Sequence, residues 1–161
     1  MVIIGVMGGS KASPRDMEDA RELGRRIARE GWVLLNGGRP CGIMEASARG
    51  AKEAGGLTLG ILPGGPEEGA SPYIDLPVFT SMGSARNVIN VLSSHVVVAC
   101  PGNLGTLSEI VLALHAGRPV VLFNHDPGPE VTREAPPGLL ARAKTPAEAM
   151  DRIREFLARQ A

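Results

Sequence analysis

The chain has 161 residues, 43% of them hydrophobic and 21% charged, and its 17 basic residues balance its 17 acidic ones. That length suits one compact domain, residues 1–161, with a real core, and zero net charge argues against capture of nucleic acid or an anionic membrane by the average field. No apolar run reaches the roughly 18–20 residues of a membrane-spanning helix, "MVIIGVMGGS" lacks a basic secretory start, and Cys41 and Cys100 fit no CxxC or zinc spacing, so a cytoplasmic protein with free thiols is expected.

Short β-branched runs alternate with segments of helical period. "VIIGV" (Val2–Val6) reads as the first strand. Ser13, Pro14 and Asp16 then supply an N-cap, a first helical position and an N3 acid, the pattern of a capping box. Met17, Ala20, Leu23, Ile27 and Ala28 form the apolar stripe of the helix that follows. Gly31 ends it, "WVLLN" (Trp32–Asn36) is a strand, and a small-residue helix runs from about Ile43 to Glu53. "LTLGIL" is a strand, "PGGPEEGASP" an exposed loop, and "LPVFT" a short extended piece leading through "SMGS" to a helix around Arg86–Leu92.

"HVVVAC" is the next strand, and "PGNLGTLSE" (Pro101–Glu109) leads from it into a helix predicted to begin near Thr106. "PVVLF" is a further strand, "NHDPGPEVTREAPPG" a polar loop and "LLARA" extended. The last helix opens with Thr145, Pro146 and Glu148 as N-cap, N1 and N3. This alternation predicts an α/β, Rossmann-like three-layer fold, a mostly parallel sheet with helices on both faces. Continuous apolar strands agree with burial on both sides.

In such sheets ligands sit beyond the carboxyl ends of the strands. The loops there are "MGGSKAS", "NGGRPCG", "PGGPEEG", "PGNLG" and "NHDPG", four of which carry a glycine pair or a Gly-x-x-Gly spacing. Backbone approaches a ligand closely only where side chains are absent, and amides at helix N-termini favour anions. The chain nevertheless has no G-x-G-x-x-G after its first strand, no acid closing the second, and no P-loop.

The stretches "NGGRPCGIMEASARGAKEAGG", "LGILPGG" and "SMGSARNVINVLSSHVVVACPGNLGTLSEIVLALHAG" resemble the LOG family of nucleoside 5′-monophosphate phosphoribohydrolases, formerly labelled lysine decarboxylases, over about residues 2–123. The wording "ARN" and "LSE" looks closest to a branch that includes molybdenum-cofactor carrier proteins. The resemblance implies a Rossmann-like homodimer in which Gly102, Gly105 and Thr106 hold a 5′-phosphate while Arg86 and Glu109 are catalytic. It implies as partner a nucleoside monophosphate or a similar phosphorylated small molecule. Two positions depart from the family pattern: Asn103 stands in place of its second glycine, and Asn87 follows Arg86 where the hydrolases usually have Lys. The expected activity is release of free base and ribose 5-phosphate, with a non-catalytic carrier as the alternative.

The chemistry agrees with that resemblance. Cleavage of an N-glycosidic bond builds positive charge on the ribose. A carboxylate can stabilise that charge and take a proton from water, and an arginine can orient it or grip phosphate bidentately. Pyridoxal-dependent decarboxylation would need a lysine Schiff base. The lysines are Lys11, Lys52 and Lys144, and none has the surroundings of a pyridoxal site.

Plainer roles stand beside these. Thr106-Leu107-Ser108-Glu109 is itself a capping box. Gly9, Gly37, Gly38 and Gly42 contact a ligand or only shape turns, and Ser10 and Asn36 bond a ligand or their own loops. Met82 lines a base pocket or joins the core, and the ligand-facing set also takes in Pro101 and Leu104. His95 is expected to be structural, and His115 and His125 have no ligand partner, so neither a metal nor a resident cofactor is expected. The helix carrying Ile110, Leu112, Ala113 and Leu114 is apolar nearly all round, which suits burial against a partner subunit.

Overall fold

A computed structural model describes residues 1–160. Its strands are β1 (Ile3–Met7), β2 (Val33–Asn36), β3 (Thr58–Leu62), β4 (Leu76–Phe79), β5 (Val96–Ala99), β6 (Val120–Phe123) and β7 (Leu140–Ala143). Its α-helices are α1 (Pro14–Arg29), α2 (Gly42–Glu53), α3 (Asn87–Leu92), α4 (Leu104–His115), α5 (Pro129–Glu134) and α6 (Pro146–Gln160), with 3-10 turns at Pro66–Glu68 and Gly83–Arg86.

The strands form one sheet in the order β4-β3-β2-β1-β5-β6-β7. Every pairing is parallel, so the expected mostly parallel sheet is parallel throughout, an α/β Rossmann-like arrangement. Alternate strand residues face opposite sides, and each side has its own core. Ile4, Val6, Leu34, Val96, Val98, Val121 and Phe123 pack with α1, α2 and α6 residues such as Leu23, Ile27, Ile43 and Ile153. Met7, Leu35, Ile61, Val97, Ala99, Val120 and Leu122 pack with Val91, Ile110, Ala113 and Leu114 of α3 and α4. Each fully buried Leu, Ile or Val contributes about 1.5–3 kcal/mol.

Helices α1 and α2 approach until backbones touch. A Cβ on Gly24 would lie 2.0 Å from the Ser47 carbonyl oxygen, and one on Gly50 would lie 1.8 Å from that of Arg21. Around this crossing Glu53 accepts from Arg21, Arg25 and Arg49. The two end capping boxes form as expected: Ser13 Oγ accepts from Asp16 N at 3.1 Å, and Thr145 Oγ1 accepts from Glu148 N at 3.1 Å.

The third capping box does not form. Helix α4 begins at Leu104, with Asn103 at the N-cap and no side-chain cap bond. Thr106 is therefore already at N3, and Glu109 bonds across to another helix instead of back to the cap. The polar segment after β6 was expected to be a loop, but it holds α5. The segment around Arg86 divides into a 3-10 turn and then α3.

Candidate functional site

The chain builds the sheet outward from β1 through β2 and β3 to β4, then returns to place β5 on the other side of β1. This reversal opens a crevice at the carboxyl ends of β1 and β5, the ligand position of open α/β sheets. A cleft stands there, lined among others by Gly8, Gly9, Ser10, Gly37, Arg39, Met44, Arg86, Asn87, Asn103, Gly105, Thr106 and Glu109.

The two loops that form its floor are tied together. Gly9 N donates to the Pro101 carbonyl at 2.9 Å. A Cβ on Gly102 would sit 2.1 Å from Thr106 Oγ1 and 2.8 Å from Gly9 N, so only glycine lets these loops meet. Above them α4 begins. Leu107 N is the first α4 amide bonded within the turn, to Asn103 O at 3.0 Å. The amides of Leu104, Gly105 and Thr106 precede it and have no intrahelical partner. With the positive end of the helix dipole they suit an anion.

One charged pair faces this turn. Arg86 Nη1 lies 3.9 Å from Glu109 Oε1, and both side chains are largely buried. A Cβ on Gly37 would lie 2.8 Å from Arg86 Nη2, so that glycine leaves room for the guanidinium. Arg86 also donates to Asn87 Oδ1, while its Nε is buried without a partner. Burial lowers its pKa, Glu109 opposes that, and Arg39 adds to it. Glu109 is 6% exposed. Burial pushes its carboxyl up to about 7, against the hydrogen bond from Asn90 and the charge of Arg86.

Of the residues singled out in the sequence, Gly9, Ser10, Gly37, Arg86, Asn87, Asn103, Gly105, Thr106 and Glu109 come together in the cleft. The others lie around it. Asn36 is fully buried in its own loop, donating to Met44 O and Ser47 Oγ and accepting from Gly38 N. Gly38 and Gly42 shape that loop with φ of +73° and +53°. Pro101 and Gly102 form the floor, whereas Met82 is 50% and Leu104 81% exposed, outside the cleft. His95 Nδ1 accepts from Ile3 N at 3.1 Å, a structural bond.

Sequence reasoning passed over Arg39 and Asn90. Arg39 was visible as the cation inside the glycine-rich "NGGRPCG" loop. Asn90 left a fainter signal, a polar residue one turn beyond Arg86 among the apolar Val88, Ile89, Val91 and Leu92.

The molybdenum cofactor binding protein of the phototrophic bacterium Rippkaea orientalis is 46% identical, with a TM-score of 0.91 and 97% of each chain covered. The molybdenum cofactor carrier protein of Chlamydomonas reinhardtii is 43% identical, with a TM-score of 0.88 and 98% of each chain covered. A cytokinin riboside 5′-monophosphate phosphoribohydrolase of Mycobacterium tuberculosis is 34% identical over 96 residues, 58% of this chain and 51% of that relative. These similarities bear out the LOG-type resemblance and its carrier-like branch. The family model described as SLOG cluster4 matches residues 1–150, and the chain belongs to the SLOG cluster4 family.

Proposed function

We propose that this protein binds a phosphorylated small molecule in the β1/β5 cleft and holds it without turnover, with molybdenum cofactor as the ligand. The observation that carries this reading is the state of the cleft's polar groups. Free amides at the start of α4 offer a phosphate site, and the position after Arg86 carries no cation. Instead Asn87 donates to Ser108 Oγ at 2.9 Å, and Ser108 Oγ donates to Gly105 O at 2.6 Å. The neutral Asn87 thus braces the phosphate turn. End-to-end similarity to two proteins described as binding or carrying that cofactor supports the same assignment.

In this reading the amides of Leu104, Gly105 and Thr106 hold the phosphate, and the Thr106 hydroxyl and Arg39 close on it. The rest of the ligand lies toward Ser10 and Arg86. A specific observation favours a second reading, phosphoribohydrolysis of a nucleoside 5′-monophosphate. Glu109, with a carboxyl poised near neutrality, lines the cleft beside Arg86, as a general base for water would. The exposed stripes Val88 and Leu92 on α3 and Leu104 and Val111 on α4 support a homo-oligomer, which light scattering checks.

The deciding experiment incubates purified protein with a panel of nucleoside monophosphates and, separately, with molybdenum cofactor. Retention of the cofactor through gel filtration, without release of free base from any nucleotide, is the expected outcome. Appearance of free base and ribose 5-phosphate, lost in Glu109→Gln, overturns the carrier assignment in favour of hydrolysis.

A further inference from the structure

One fully buried polar residue reaches Glu109 from behind the cleft. Asn90, on α3 one turn after Arg86, is 0% exposed and donates Nδ2 to Glu109 Oε1 at 2.7 Å. Its Oδ1 is buried and has no partner. An ionised carboxylate only accepts hydrogen bonds, a protonated one also donates, and an amide does both. Half a turn of the Asn90 amide exchanges its donor for its acceptor while the backbone stays in place. Asn90 can therefore satisfy Glu109 in either charge state, which a leucine or a lysine there could not do.

The charges lining the cleft give this a purpose. Arg86 and Arg39 are its cations and Glu109 its carboxylate, with Arg86 Nη1 3.9 Å from Glu109 Oε1. Asn87 and Asn90 of α3 and Asn103 before α4 are neutral. The cleft thus carries one surplus positive charge, whereas a phosphate monoester brings about 1.5 to 2 negative charges. A second anion in a confined site favours the protonated form of a neighbouring carboxyl.

We propose that Asn90 is a positioning residue that holds the Glu109 carboxyl in both protonation states, so that an anionic ligand enters the cleft together with one proton. This rests on the reading that the cleft binds a phosphorylated ligand.

The test follows the Glu109 carboxyl by 13C NMR in glutamate-labelled protein, its signal assigned with Glu109→Gln, across pH and with or without inorganic phosphate. In wild type, phosphate is expected to move the titration midpoint upward by about one pH unit. Asn90→Leu removes the bond to either form, and because the charge-assisted bond to the ionised carboxylate is the stronger of the two, its midpoint is raised before phosphate is added. Asn90→Ala removes the same bonds without adding a charge, and serves where the leucine variant does not fold. Unmoved midpoints in both variants overturn the role of Asn90. Phosphate that shifts the Leu104–Thr106 amide signals but leaves the wild-type midpoint in place overturns the proton coupling alone. Phosphate that leaves those amides untouched overturns the binding reading and the coupling together.

Discussion

Glu109→Gln should change how stability depends on pH, and by a large amount. In the folded protein the carboxyl titrates near 7, against an ordinary value of 4.5. A raised carboxyl pKa means that folding favours the protonated form. Its contribution is fully present below about pH 4.5, is lost as pH rises, and levels off above about 7. At about 1.4 kcal/mol per pH unit, the interval is worth about 3 kcal/mol. Glutamine has the same shape, and its carbonyl can still accept from Asn90, so the buried hydrogen bond survives while the ionisation is removed. Urea denaturation of wild type and Glu109→Gln between pH 4 and 8.5 measures the effect, because all other titrations are common to both proteins. The stability gap should widen in favour of the variant by about 3 kcal/mol as pH rises, a relative midpoint change of about 1–2 M urea. Parallel pH profiles would show that Glu109 stays ionised throughout and would refute the reasoning.

Two glycine substitutions separate fold from site. Gly50→Ala places a methyl group 1.8 Å from the Arg21 carbonyl oxygen, so α1 and α2 must part; overpacking of this kind costs about 3 kcal/mol, seen as a melting temperature lower by about 6–12 °C. Gly105→Ala meets nothing within 4 Å and lies in the first turn of α4, so stability should hold or rise by up to about 1 kcal/mol. Gly105 nevertheless lines the cleft beside the free amides, so affinity for a phosphorylated ligand should fall about tenfold or more in a calorimetric titration.

The central strands were legible because burial on both faces leaves an unbroken apolar run, as in "VVVA" of β5, whereas the more exposed edge strands β4 and β7 read only as short extended pieces. The caps at Ser13 and Thr145 were legible because each helix's apolar stripe starts immediately after them. Thr106 misled for a related reason. Thr106-Leu107-Ser108-Glu109 stands just ahead of an apolar stripe, but Asn103, itself a favoured N-cap type, starts the helix three residues earlier although its side chain makes no cap bond. Helix α5 escaped notice because six residues between prolines and glycines show no stripe. Strand order is a long-range property that no local pattern encodes, so the glycine-rich loops could be seen as strand ends but not placed against one another. The Asn90–Glu109 bond is likewise a tertiary event between two helices.

The choice between holding a ligand and hydrolysing it turns on the charge of Glu109 in the complex. Stabilising an oxocarbenium-like sugar and activating water both require the ionised carboxylate. With the carboxyl already pushed up to about 7 in the free protein, an entering phosphate tips it toward the protonated form unless another cation compensates. The resembled hydrolases usually place a lysine after the arginine. Here Asn87 stands in that position, its amide committed to Ser108 and its carbonyl to Arg86. Ligand entry in this cleft therefore works against the base that hydrolysis needs, which favours retention over turnover. Asn87→Lys should reverse that balance, seen by 13C NMR as a lower Glu109 midpoint in the phosphate-bound protein than in wild type; a midpoint as high as in wild type would refute it.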